Sequence, residues 1–230
     1  MSAMRTPFDW THLRAALFDI DGTLIDSNEA HAQAWTEALR DHGLAVSETR
    51  VRALIGKGAD KLLPEVAGIE ADSTRGREIA TRKGALFAAL LPDLTPTPGA
   101  RELLEYLKAR DLTLGVATSA GDDEVSALLK QAGVDDLFQA RASKDDAEAS
   151  KPDPDIVQAS LEKVGAPPSS AVLIGDTPYD IQSAGAAGVA SVALRCGGFW
   201  PDEALGDARA IYDDPRALLS ALKKGDVHAQ

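Results

Sequence analysis

A single cysteine, Cys196, excludes any internal disulfide and makes a reducing compartment, the cytoplasm, the expected setting. Aromatic residues are scarce at 5%, so the core must be built from aliphatic side chains. No apolar run approaches the ~20 residues needed to cross a bilayer, and no membrane partner is expected. Met1 to Arg14 mixes Arg5, Asp9, His12 and Arg14 among few apolar residues, without the apolar stretch of a secretory signal. Basic residues are outnumbered: 24 Lys and Arg against 36 Asp and Glu give a formal charge of -12. That charge repels nucleic acid and offers no counterion release for binding it. An anionic small molecule would need cations placed locally against the overall field.

What remains is an ordinary globular composition, 44% hydrophobic and 26% charged, over 230 residues. Three apolar runs, Ala15 to Ile20, Leu112 to Ala117 and Ala171 to Ile174, are aliphatic on both faces, as strands covered by helices on two sides must be. Weaker runs lie at Ala190 to Leu194 and Leu137 to Ala140. Between them, Arg101 to Arg110, Glu124 to Ala132 and Ile156 to Val164 carry helical spacing. The alternation predicts an α/β fold with a doubly wound parallel sheet.

From Asp26 to Leu94 that rhythm stops. Helical patterns recur at Ala30 to His42, Glu48 to Ile55, Asp60 to Val66 and Thr74 to Leu91, with no convincing strand. The expected organisation is therefore a core of residues 1–25 and 95–230 with an all-helical cap of residues 26–94 inserted. Pro92, Pro96, Pro98 and Gly99 mark the return to the core.

In such a sheet, ligands bind at the carboxyl ends of the strands. The first run ends in Asp19-Ile20-Asp21-Gly22-Thr23, the second in Thr118-Ser119 and the third in Gly175-Asp176 with Asp180 following. Lys151 opens a further polar cluster and supplies a cation. Asp19, Asp21, Asp176 and Asp180 concentrate oxygen ligands without His or Cys nearby in sequence, which suits Mg²⁺ rather than Zn²⁺. With a metal neutralising repulsion, the Asp19 carboxylate is placed for attack on a phosphate monoester. Asp21 is placed to protonate the leaving group and then to activate water. The Thr118 hydroxyl, the Ser119 N–H and the Lys151 ammonium would hold the phosphoryl oxygens.

In these residues and their order the chain resembles the haloacid dehalogenase superfamily, whose phosphatases carry Asp-x-Asp-Gly-Thr, a Thr or Ser after the next strand, a Lys and an acidic pair. The resemblance spans roughly residues 15–194. It implies a Rossmannoid core with a helical cap, an aspartyl-phosphate intermediate, and Mg²⁺ held by Asp19, the Asp21 carbonyl and Asp176. Arg52 to Gly58 resembles the specificity segment of the phosphoglycolate phosphatase and β-phosphoglucomutase branch, which makes Arg52 and Lys57 candidate substrate contacts. The expected substrate is a small phosphate ester, handled by a monomer or small homo-oligomer.

Two alternatives stay open. Asn28 to Trp35 resembles a segment of the phosphosugar mutase, with His31 at the corresponding place, although Thr23 and the Gly175-Asp176 pair favour hydrolysis. A receiver-type signalling domain also gathers Asp, Thr and Lys around Mg²⁺, but it occupies about half this length. His31 is expected to be a hinge or core histidine, and Gly197 to Trp200 a loop whose aromatics pack back on the core.

Overall fold

A computed structural model describes residues 8–228. Six parallel strands form one sheet in the order β3-β2-β1-β4-β5-β6. These are β1 (Ala15–Phe18), β2 (Thr113–Ala117), β3 (Ala140–Ala142), β4 (Ala171–Gly175), β5 (Ala190–Leu194) and β6 (Ala210–Tyr212). Every residue of β1 and β4 is buried, because helices cover both faces.

The two-residue period of the strands sorts their side chains into two layers. Ala16, Phe18, Leu114, Val116, Val172 and Ile174 face one cluster, with α5 (Ala100–Lys108), α6 (Asp122–Gln131) and α9 (Pro215–His228). Ala15, Leu17 and Leu173 face the other, with α7 (Asp155–Val164) and α8 (Pro178–Ala186).

Helices α1 (Asn28–Asp41), α2 (Glu48–Arg52), α3 (Ala59–Ala67) and α4 (Thr74–Leu90) bury a separate cluster around Trp35, Leu39, Leu62, Leu63 and Ile79. Two chain segments run side by side as its neck. The Asp26 N–H donates to Thr95 O at 2.9 Å, the Thr97 N–H to Leu24 O at 3.1 Å, and Ile25 bridges Pro96.

The sheet class and all three strong runs are as the sequence predicts. The weak run at Leu137 to Ala140 is displaced: Leu137 packs into the core from the loop and the strand begins at Ala140, where pairing with β2 begins. The short edge strand β6, partly exposed at every residue, carries no pattern strong enough to have been read, whereas helix α9, with Leu218, Leu219 and Leu222 at helical spacing, was legible but not predicted. Among the described residues no helix is long and apolar enough to cross a membrane.

Candidate active site

β1 delivers Asp19 to the middle of the sheet's carboxyl edge. Its N–H still donates to Ile174 O at 3.0 Å, so the residue is held by the ladder before the chain turns. The turn depends on Gly22, at φ 72°, where a Cβ would lie 2.4 Å from an Asp176 carboxylate oxygen. Gly197 is tighter still, with a Cβ position 1.7 Å from the same oxygen. These two glycines make room for Asp176.

Oxygens of Asp19, Asp176 and Asp180 lie within 4.8 Å of one another. Lys151, with no exposure, donates to Asp19 Oδ1 and Asp180 Oδ1 at 2.6 Å each. The second oxygen of Asp180 accepts from the Thr177 N–H and hydroxyl in a capping box at the start of α8. Asp176 accepts from Asn28 Nδ2 at 2.8 Å and from the Thr23 hydroxyl at 3.3 Å. The amide oxygen of Asn28 is buried there without a partner.

Burial pushes the Asp19 carboxyl well above the usual range, with the charges of Asp180, Asp176 and Asp21 adding to it and the Lys151 ammonium opposing. Asp176 is pushed up to about 8 by burial and by the charge of Asp180, against the hydrogen bond from Asn28. Lys151 is penalised by burial too, yet Asp180 and Asp19 hold its proton firmly. Three carboxylates face one ammonium, which leaves two negative charges uncompensated. That is the charge of one divalent cation, and an all-oxygen donor set with an orphaned amide oxygen beside it fits a hard one.

Asp21 is turned the other way. Its Oδ1 accepts from the Ser27 hydroxyl at 2.5 Å and from His31 Nε2 at 2.8 Å. Burial alone would raise its pKa, but the imidazole and both hydrogen bonds outweigh that and hold it at about 2. His31 is buried at the start of α1, as expected of a hinge or core histidine, with its ring stacked on Phe87 of α4, 3.9 Å between centroids, and its nitrogen also meets Asp21.

A cavity of about 360 Å³ lies between the cap and the sheet edge, with Asp19, Asp21, Thr118 and Ser119 on one side and His31 and Lys83 on the other. Thr118 is buried, its hydroxyl accepting from the Ala120 N–H at 3.2 Å, while the Ser119 hydroxyl reaches Gly56 O of the cap at 3.0 Å. Lys57 lines the cavity and pairs with Glu65.

Arg52, expected as a substrate contact, is not among the residues that line that cavity. Its guanidinium donates to Gly197 O at 2.7 Å and lies over Phe199, so it fastens the cap to the core. The aromatics of residues 197–200 pack back as expected, Trp200 edge-on to Tyr179 at 5.8 Å. Ser27, Asn28 and Lys83 were not expected in the site. Ser27 and His31 are four residues apart at the start of a helix, a spacing that puts both on one side; Lys83 gives no such signal in sequence.

Residues 16–194 match a family described as haloacid dehalogenase-like hydrolase. A phosphoglycolate phosphatase of Rhodospirillum rubrum is 31% identical over 89% of this chain and 89% of its own. An N-acetylmuramic acid 6-phosphate phosphatase of Pseudomonas aeruginosa is 32% identical over 92% of this chain and 96% of its own. Among solved structures, a hydrolase from Pseudomonas syringae superposes with a TM-score of 0.85 at 30% identity, covering 91% of this chain and 98% of that one.

Proposed function

Because the chain belongs to the haloacid dehalogenase-like hydrolase family, we propose that it is a Mg²⁺-dependent phosphatase that hydrolyses a small phosphate monoester through an aspartyl-phosphate on Asp19. The observation that carries this reading is the buried meeting of Asp19, Asp176, Asp180 and Lys151 beneath a capped cavity. The names of the related phosphatases support the reaction class.

Asp19 and Asp176 are the side chains that would hold the cation, with Asp21 contributing its main-chain carbonyl as the family resemblance implies. Asp180, whose two oxygens are engaged by Lys151 and Thr177, suits the anchoring of Lys151 rather than a metal ligand. Bound Mg²⁺ would offset the repulsion between the carboxylates and the phosphoryl oxygens. The Asp19 carboxylate then attacks phosphorus in line, the P–O bond to the alcohol breaks, and the alkoxide takes a proton from the Asp21–His31 pair. The same pair then takes up a proton from water as that water displaces Asp19 from phosphorus, which restores the proton given to the alkoxide. Lys151, Thr118 and the Ser119 N–H steady the phosphoryl oxygens throughout.

A phosphosugar mutase is the second reading, favoured by the placement of His31 against Asp21 in the segment that resembles that branch. A receiver domain is set aside, since its phosphorylated Asp follows a middle strand rather than the first and it has no helical insertion next to its first acidic pair. Phosphate release from a chromogenic phosphate ester, with Mg²⁺ and with chelator, tests the main reading. Metal-dependent turnover is expected, and its absence would overturn the proposal. Isomerised sugar phosphate from a hexose 1-phosphate and its bisphosphate, in place of free phosphate, would favour the mutase.

A further inference from the structure

Two of the cations that line the cavity, Lys83 and Lys57, are set against the chain's own carboxylates. Lys83 of α4 is nearly buried, and its ammonium lies 3.0 Å from Glu124 on the opposite wall, with the Phe87 and Trp35 rings around it. Lys57 is paired with Glu65, and Lys144 stands on the exposed rim. Against these the wall carries Asp122, Asp123, Glu124 and Asp145. The first three form the opening turn of α6, the end of a helix where a ligand anion would otherwise be favoured. The chain's own acids already occupy that field.

We propose that Glu124 is a specificity-determining residue, which by neutralising Lys83 turns the pocket against leaving groups that carry a carboxylate and toward phosphate esters of uncharged polyhydroxylated alcohols. The inference rests on the phosphatase reading and narrows its substrate class. A second anion bound beside Lys83 would have to displace Glu124 or sit next to it, and beside this largely buried pair like charges are repelled more strongly than in open water. A neutral polyol meets no such repulsion. Its hydroxyls can donate to the wall carboxylates, and about 360 Å³ holds a six-carbon chain.

The test compares two esters of the same length, sorbitol 6-phosphate and 6-phosphogluconate, which differ only in a hydroxymethyl group against a carboxylate. The wild-type protein and Glu124→Gln are assayed with Mg²⁺, each rate set beside that on a chromogenic ester. Wild type is expected to favour the polyol ester in kcat/KM by on the order of tenfold or more, and Glu124→Gln to shrink that preference by about tenfold. Equal kcat/KM on the two esters in wild type, with chromogenic turnover intact, would overturn the inference alone. A preference that Glu124→Gln leaves unchanged would remove Glu124 from it. A protein that turns over none of the three esters would overturn the phosphatase reading beneath it.

Discussion

Lys151 and Asp19 stand 132 residues apart in sequence, yet the fully buried ammonium donates to the carboxylate at 2.6 Å. One strand end and one loop on the far side of the chain are joined there by charge. Neither group would be tolerable in that place alone, because a buried ion without its partner is costly.

Lys151→Met should therefore lose both activity and stability. Removing the ammonium leaves Asp19 and Asp180 buried side by side, and a destabilisation of about 3 kcal/mol or more is expected from denaturant melts in chelator. Added Mg²⁺ should recover part of the stability but not the turnover. A variant as stable as wild type in chelator would mean that the pair does not hold the site together.

The raised carboxylates make stability depend on pH in a definite sense. Asp176 titrates at about 8 in the folded protein, and Asp19 is raised as well, against about 4 for a carboxyl in the unfolded chain. Between those values the folded state holds more protons. These two groups thus contribute most stability below about pH 4 and lose it as pH climbs to about 8. Asp21, held at about 2, acts oppositely but only below about pH 4. In chelator the melting temperature should fall from pH 5 to pH 8. Saturating Mg²⁺, which binds the deprotonated carboxylates, should reverse the slope. A melting temperature that ignores Mg²⁺ at pH 8 would contradict the cation site.

His31→Ala removes the imidazole that holds the Asp21 carboxyl down. Burial should then govern Asp21 and raise its pKa, moving the acidic limb of the kcat profile to higher pH. Turnover should fall by roughly 10²-fold, the scale of a disturbed proton transfer. A pH–rate profile superposable on wild type would detach His31 from the chemistry.

Much of this site was legible because its residues follow the strong strands. Asp19, Thr118 and Asp176 sit where an apolar run stops, and a sheet gathers such ends on one edge whatever lies between them. Strand β6 was missed because a three-residue edge strand, partly exposed at every residue, has neither a long apolar run nor a clean alternation, while helix α9 has an apolar spacing that could have been read. Lys83 was missed for another reason. On α4 it is one basic residue among several, and only the docking of the cap against α6 sets it apart. Arg52 shows the converse: its segment resembled a specificity loop, but the side chain turns to a carbonyl across the seam.

Gly197→Ala probes the space around Asp176. The added methyl would start 1.7 Å from a carboxylate oxygen, so Asp176 or the loop must move. The Mg²⁺ concentration needed for half-maximal activity should rise by about 10- to 100-fold, the range seen when a metal site's supporting shell is disturbed. An unchanged Mg²⁺ requirement would show that Asp176 does not serve the cation.

The most direct measurement is a rapid acid quench during turnover of a phosphate monoester with Mg²⁺, followed by peptide mass mapping. One phosphoryl group is expected on the peptide containing Asp19 in the wild-type protein and none in Asp19→Asn, which should also be inactive while keeping its fold. Turnover by Asp19→Asn, or a phosphoryl group on any other residue, would contradict the assignment of Asp19 as nucleophile.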